Sequence, residues 1–429
     1  MKSYNQFIFK SFVFDRDQKT LTLNYGIDDA FKFQETYRFD FDFVDSIDEQ
    51  ALDRAFQLLF MIAGVSYYKT FIPPEIVIEA KPIDNEVAEF LSRTYQNGLG
   101  EFFYINQLDP LTPIAFPAQI SSLPIKPPPG DGLMIGIGGG KDSLVSVELL
   151  HNQPKVATWS LNHRPQLEPL IRRIGLPHFW VEREIDPHLI ELKDSPDAYN
   201  GHVPISAIFA AVGVIVALLS GYHDSVVSNE SSASEPNLDY KGVAINHQYS
   251  KSIAFEEDFQ AVMNHLLSDA VRYYSFLRPL TELHISELFA RTSFVKYQAV
   301  FSSCNSAFTL ASDHMFWDGT CPKCAFVFLA LTPFVDRDKL EKLFGGKNLL
   351  LDPALVPTYQ QLLGMQGNKP LECVGEIKES RAAMRIAQQQ YSELNKYVFE
   401  LPGTYDYRSL SNHKMPPNIF EILKNNTHL

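Results

Sequence analysis

Gly132-Leu-Met-Ile-Gly-Ile-Gly-Gly-Gly-Lys-Asp-Ser143 carries the strongest structural instruction in this chain. Leu133 to Ile137 is an apolar run that reads as a buried parallel strand, and Leu144 to Leu150 continues as a helix. Between them three glycines open a tight loop ahead of Lys141, Asp142 and Ser143. Glycines let backbone amides approach a polyanion, and the helix start adds aligned N–H groups and a positive dipole end. A strand, such a loop and a helix in that order make a phosphate cradle. Lys-Asp-Ser at a helix start exceeds what a plain turn requires.

Spacing separates the kinds of cradle. A Walker loop needs Gly five residues before Gly-Lys and Ser or Thr after Lys, but Ile135 and Asp142 stand there. The dinucleotide fingerprint matches at Gly136 and Gly138 and then fails, because Lys141 occupies the place of the last Gly. The loop resembles Ser-Gly-Gly-x-Asp-Ser of the PP-loop ATP pyrophosphatases, with Gly138 in place of the first Ser. That resemblance implies cleavage of ATP between its α and β phosphates and transfer of AMP to a substrate oxygen.

Working outward, residues 5–125 have a different texture. Phe7 to Phe14, Thr20 to Tyr25 and Tyr37 to Phe43 alternate apolar and polar residues, as half-buried antiparallel strands do. Asp53 to Ser66 is helical in pattern. Ile125-Lys-Pro-Pro-Pro-Gly-Asp-Gly132 reads as a stiff linker. Beyond it strands and helices alternate: Val156 to Leu161, Leu167 to Ile174, His178 to Arg183, Ile205 to Ser220 and Ser225 to Asn229. Such alternation predicts an α/β fold with a doubly wound parallel sheet and ligands at the carboxyl ends of its strands. The expected domains are an N-terminal α+β unit at 1–125, an ATP-binding unit at 130–335 and a mainly helical, cysteine-containing extension to 429.

Composition narrows the function. A net charge of −14 without a run of Lys or Arg argues against a broad nucleic-acid or membrane footprint, while leaving room for a small basic pocket. The longest apolar run, Ala207 to Ser220, is too short to span a bilayer. Met1 to Gln6 does not begin a signal peptide, so a cytoplasmic protein is expected. Oligomeric state is not legible.

Several loops fall where strand ends should be. Trp159 to His163, including Ser160, is placed to meet adenine; Asn200 to Pro204 precedes a helix; Ser228 to Asn237 and Asn246 to Lys251 are polar. Four cysteines lie late in the chain. Cys321-Pro-Lys-Cys324 has thiolate-metal spacing, with Cys304 close upstream. Zinc held by Cys304, Cys321, Cys324 and Cys373 is one expectation, with His314 an alternative ligand. Catalysis by a free thiol at Cys304 or Cys373, or inert buried cysteine, are the others.

Taken together, Gly138 to Ser143, Ser228-Asn-Glu230 with Ser234 to Asn237, Val243 to Lys251, Ser303 to Asn305 and Cys321 to Leu329 resemble the UDP-N-acetylmuramoyl-L-alanyl-L-glutamate epimerase family of bacterial peptidoglycan synthesis. The resemblance implies inversion of the terminal L-Glu of UDP-MurNAc-L-Ala-L-Glu to D-Glu, with ATP and Mg²⁺ consumed or used and AMP and diphosphate released. On that reading Gly138, Gly139, Gly140 and Ser143 hold the departing diphosphate, Lys141 neutralises its charge, and Asp142 orders Mg²⁺ or the loop. Glu230 with Asn229 completes the magnesium or substrate shell, and His247, Lys251, Cys304 and Asp313 are the proton-transfer candidates. The rivals are another adenylating enzyme of the superfamily, acting on tRNA or a small molecule, and an ATP-sensing module without turnover.

Overall fold

Alternating burial in the first part of the chain builds β1 (Gln6–Asp15), β2 (Thr20–Ile27) and β3 (Phe31–Asp40) into an antiparallel meander. Phe7 and Phe9, Leu21 to Tyr25 at every second position, and Phe33, Tyr37 and Phe39 point into one core. The 15-residue helix Glu49–Ala63, capped by Asp48, covers that face. A short strand, β4 (Glu75–Ile78), adds parallel to β1. The remaining strands are β5 (Leu133–Gly136), β6 (Val156–Leu161), β7 (His178–Glu184), β8 (Asp224–Val227), a β9–β10 ribbon (Leu238–Tyr240 and Val243–Ile245) and β11 (Arg272–Ser275). The structure, a computed structural model, describes residues 2–119, 124–309 and 312–427.

One nine-stranded sheet runs in the order β11-β8-β5-β6-β7-β3-β2-β1-β4. The strands from β11 to β7 are parallel, and β3 joins them antiparallel at β7, with Phe39 opposite Val181. The meander expected as a separate unit therefore extends the same sheet, across the Ile125–Gly132 segment. Each edge left alone would expose a row of unpaired backbone groups, which this pairing removes.

The junction is locked by a charge. Glu35 occupies an inward position of β3 and is fully buried. Arg183 of β7 grips it with two hydrogen bonds, Nε to Oε1 at 2.8 Å and Nη2 to Oε2 at 3.0 Å, and the Tyr37 hydroxyl donates at 2.6 Å. Such a fork-on-fork pair fixes register as well as contact.

The parallel strands, numbered along the chain, lie third, second, first, fourth and fifth across the sheet. Helices Lys141–Leu150 and Arg164–Ile174 pack on one face; Ile205–Ser220 and Ile253–Leu267 pack on the other with the N-terminal helices. Ile205–Ser220 lies close to the strands at Gly213, where a Cβ would come within 2.7 Å of Ser225 Oγ. The chain reverses winding between β5 and β8, and a crevice opens at their carboxyl ends. Helices Glu282–Thr292, Pro322–Leu331 and Ile377–Ala387 complete the first face. Among the described residues no helix is long and apolar enough to cross a membrane.

Replacing Arg183 by Met leaves the Glu35 carboxylate buried without its partner, at an expected cost of about 3–5 kcal/mol in chemical denaturation. The double variant Glu35→Leu/Arg183→Met recovers much of that loss. A single variant within about 0.5 kcal/mol of the parent refutes the lock.

Candidate functional site

The glycine loop sits at the mouth of the crevice. Gly139 has φ +88°, and a Cβ there would lie 2.6 Å from the Phe308 ring, so only glycine suits both the backbone and the neighbour. A Cβ on Gly138 would meet nothing within 4 Å, and the residue is exposed. Gly140 begins the helix Lys141–Leu150 without a side-chain cap. Its first N–H groups and dipole end therefore have no protein group assigned to them, which suits an anion. From the far side, Ser302 N–H donates to the Gly139 carbonyl at 3.1 Å and holds segment 301–309 over the loop.

A cavity of about 570 Å³ extends from this loop. All four polar loops singled out from the sequence contribute to it, through Ser160 and His163, His202, Ser228 and Asn229, and His247 to Lys251. Its volume is within the usual range for a small-molecule site. Two buried polar atoms on its wall, Trp159 Nε1 and Gln248 Oε1, have no hydrogen-bond partner among the described residues. A donor and an acceptor left free in a buried wall are what a bound ligand would satisfy. Ser160, expected near adenine, lines the cavity and exchanges a 3.0 Å hydrogen bond with His178.

Beneath the loop lies a buried acid cluster. Asp142, Glu230 and Glu282 place carboxylate oxygens within 4.8 Å of one another. The Lys141 ammonium, 3% exposed, is hydrogen-bonded to both Asp142 and Glu282. Lys141 therefore points under the loop and not into the cavity, which corrects its expected contact with diphosphate. The cations that do face the cavity are Lys251 and Lys323. Burial and the adjacent Asp142 charge push Glu282 up to about 7. Asp142 itself, against the cost of burial, is held below the usual carboxylate range by Lys141 and Lys323.

Cys373, in the segment before the Ile377–Ala387 helix, also lines the cavity. Lys251 Nζ donates to its sulfur at 3.2 Å, and Lys323 Nζ donates to its carbonyl. His247 bonds Glu101 through Nδ1 and lies close enough to the Cys373 thiol to bear on its ionisation. Burial pushes the thiol up, but Lys251, His247 and Lys323 outweigh it and bring Cys373 down to about 6. Against burial, the bonds to Cys373 and Glu101 lift His247 to about 9. Burial and the charge of His247 lower His202, whose ring is tilted against it at 4.4 Å between centroids, to about 4. The directions favour a thiolate at Cys373, an imidazolium at His247 and a neutral ring at His202.

Buried Arg278 ties the two ends together. It donates to the Glu230 carbonyl and the Lys251 carbonyl, each at 2.5 Å, and to Glu256 at 2.8 Å.

The cysteines divide. Cys304, Cys321 and Cys324 converge with Asp318, all four ligand atoms within 4.8 Å. Cys373 is not brought to them, because Lys251 and His247 hold it in the cavity; Asp318 takes the fourth place expected for it. Cys304 is buried in this cluster and does not line the cavity, so it is not positioned as a proton-transfer group. Asp313 and His314 pair with each other at 2.8 Å on the exposed surface, away from both sites. Sequence reasoning missed Glu101, Arg278, Glu282, Asp318 and Lys323. Lys323 stood inside the quoted Cys-Pro-Lys-Cys, and Asp318 three residues ahead of it; the others carry no local signal.

An uncapped helix start at a sheet's switch point, sharing a cavity with ionised acid and base groups, defines an α/β enzyme of anionic ligands. Residues 1–276 match the MurL N-terminal domain and residues 300–402 the MurL C-terminal domain, and the chain belongs to the MurL family. The first match runs through the Ile125–Gly132 segment, as the sheet does. A UDP-N-acetyl-alpha-D-muramoyl-L-alanyl-L-glutamate epimerase of Xanthomonas oryzae pv. oryzae is 39% identical over 396 residues, 88% of this chain and 87% of that protein. The protein of the same name from Salinispora tropica is 38% identical over 401 residues, 91% of this chain and 86% of its own. That from Micromonospora sp. is 38% identical over 349 residues, 79% of this chain and 76% of its own.

Alkylation reads the thiol directly, since its rate follows the thiolate fraction. A group lowered to about 6 ionises early, so iodoacetamide labelling of Cys373 rises between about pH 5 and pH 7 and is flat above, where an ordinary thiol keeps rising toward about 8.5. Peptide mass spectrometry separates Cys373 from Cys304, Cys321 and Cys324. A midpoint above about 8 contradicts the thiolate.

Proposed function

We propose that this chain inverts the terminal L-Glu of UDP-N-acetylmuramoyl-L-alanyl-L-glutamate to D-Glu, using ATP and releasing AMP and diphosphate, in peptidoglycan synthesis. The observation that carries the reading is that one cavity joins an anion-ready glycine loop to a set of ionised proton-transfer groups. The relatives' shared name supplies the substrate. The strand order and the Gly138–Ser143 loop together support a PP-loop pyrophosphatase type of sheet.

An α-proton beside a carboxylate is very weakly acidic, because its removal sets a second negative charge next to the first. Adenylation of the carboxylate removes that charge and lets the carbanion spread into an activated carbonyl. Gly138, Gly139 and Gly140 amides with the Ser143 hydroxyl hold the outgoing diphosphate, and Lys251 and Lys323 balance charge in the cavity. Trp159 Nε1 and Gln248 Oε1 are free to recognise a base edge.

Three carboxylates within 4.8 Å of one another form a hard oxygen donor set that fits Mg²⁺. Asp142, Glu230 and Glu282 would hold it, and it would neutralise phosphate charge there. Cys304, Cys321 and Cys324 with Asp318 form a closed thiolate-rich set that fits a structural zinc. Bound there, it would pin segment 301–309 against the glycine loop. A reaction drawing on two nucleotides, ATP and a UDP-sugar, belongs in the cytoplasm.

The test is incubation with ATP, Mg²⁺ and UDP-MurNAc-L-Ala-L-Glu in deuterated water. AMP and diphosphate appear only with the dipeptide, and deuterium enters the glutamate α-carbon with inverted chirality. Asp142→Asn lowers AMP formation at least about a hundredfold. ADP as the product, the same products with tRNA in place of the dipeptide, or no turnover would each overturn the reading.

A further inference from the structure

Inversion needs a group that removes the α-proton, and the cavity offers few. Asp142 and Glu282 are engaged by Lys141, and Glu230 lies with them beneath the loop. Cys304 is buried with Cys321 and Cys324 in a separate cluster. Lys251 and Lys323 are lysines engaged with Cys373, and His247 is bonded to Glu101 through Nδ1 and lifted by Glu101 and Cys373. Ser160 and Ser143 have no adjacent base: Ser160 pairs with His178, which burial lowers to about 3, and Ser143 donates to the Gly140 carbonyl. Of the other titratable groups that line the cavity, His163 lies edge-on to Phe308, Glu372 accepts from Asn305, and burial with the charge of His247 lowers His202 to about 4, so it is a weak base. Cys373 differs from all of these. It lines the cavity, and three protein groups converge on it: Lys251 at 3.2 Å and His247 on the sulfur, and Lys323 on the carbonyl.

We propose that Cys373 is the catalytic base that takes the glutamyl α-proton, with Lys251 and the Glu101–His247 pair as its positioning residues. This rests on the adenylation reading above. The arrangement has a physical logic. A bare thiolate next to an anionic substrate would be repelled, whereas here two cations face the same space. Lys251 and His247 also fix the direction of the sulfur lone pairs, and Lys323 fixes the backbone that carries them. Glu101 holds the His247 ring through Nδ1, as the carboxylate does in a catalytic triad.

The step balances simply. The Cα–H bond breaks, an S–H bond forms at Cys373, and the electron pair enters the adenylated carbonyl as an enolate. A proton originating from water then adds to the opposite face of Cα, and the S–H proton leaves to solvent. Hydrolysis of the mixed anhydride releases AMP and restores the carboxylate. No oxidant or reductant is involved, and no covalent bond to sulfur other than S–H is made.

Because adenylation and proton removal are separate steps, they can be read separately. The parent protein is first assayed for dipeptide-dependent AMP formation; if it makes none, the adenylation reading fails before Cys373 is tested. Given that activity, Cys373→Ala and Cys373→Ser are compared with it in deuterated water. Both variants are expected to keep AMP formation within about tenfold while α-deuterium incorporation and inversion fall at least about a hundredfold. Serine preserves size and fold but ionises far too weakly to replace the thiolate. AMP formation is thus an internal check on folding.

The groups that face the sulfur and set its titration are Lys251 and His247 from one loop and Lys323 from the Pro322–Leu331 helix. Glu101, His202 and neighbouring Glu372 stand one step further out. Lys251→Met should therefore move the midpoint of α-proton exchange to higher pH, a shift that lost packing alone would not give. The proposal is overturned if Cys373→Ser exchanges the α-proton at the parent rate, or if AMP formation and exchange fall together in both variants. A covalent substrate adduct on Cys373 in acid-quenched parent protein, seen by intact mass, overturns it as well, since the sulfur would then be a nucleophile.

Discussion

Arg278 is the side chain on which the cavity depends. It is 1% exposed, and its guanidinium donates to the Glu230 carbonyl, the Lys251 carbonyl and the Glu256 carboxylate. A buried cation is costly unless every donor is matched. Here the matching is done by backbone carbonyls of two strand-end loops, so the need to satisfy one charge fixes where both loops run. Glu230 is thereby set under the glycine loop, and Lys251 is set against Cys373. Two loops that line the cavity are thus held in fixed relation by a residue that does not line it.

The same economy recurs on the other side of the sheet. Lys141 follows the glycines and invites reading as a phosphate ligand. Instead it is sunk between Asp142 and Glu282, which comes from a helix on the same face. Its ammonium neutralises part of a carboxylate cluster that could not otherwise stay ionised and close together. Glu282 in turn donates its backbone N–H to the Glu379 carboxylate at 2.7 Å, and Glu379 also caps the helix following Cys373. The acids beneath the loop and the segment bearing the thiol are thus mechanically linked.

Much of this was legible in the chain, for a reason that also explains what was not. The β5 strand, the loop, the helix after it and Ile205–Ser220 are decided by neighbours within a few residues, through apolar runs, glycines and caps, and they fall where the pattern puts them. The four polar loops reach one cavity because strand ends of a parallel sheet share a side. By contrast, the alternation in Phe31–Asp40 says which side chains face inward and nothing of which strand lies alongside, so its pairing with β7 is invisible. Lys141 is decided by Glu282, and Cys373 by Lys251 and His247, all distant in sequence. The spacing of four cysteines suggests one metal set, yet Asp318 takes the last place. Its carboxylate accepts from Thr320 N–H and Cys321 N–H, a local turn that carries an oxygen to the thiols.

A chain with net charge −14 keeps a cavity whose mobile-ended cations are lysines. Lys251 and Lys323 do not stand free, since the first contacts the Cys373 sulfur and the second contacts the Cys373 carbonyl and approaches Glu282 at 4.0 Å. Each therefore belongs to both ends of the cavity. An anion arriving at the glycine loop would draw on the same positive charge that keeps the sulfur ionised, and would weaken that support unless compensated. His247, lifted to about 9 by its interactions with Cys373 and Glu101, adds positive charge beside the sulfur. The lysines and His247 together would offset the charge of a thiolate and of an anionic ligand in one buried space.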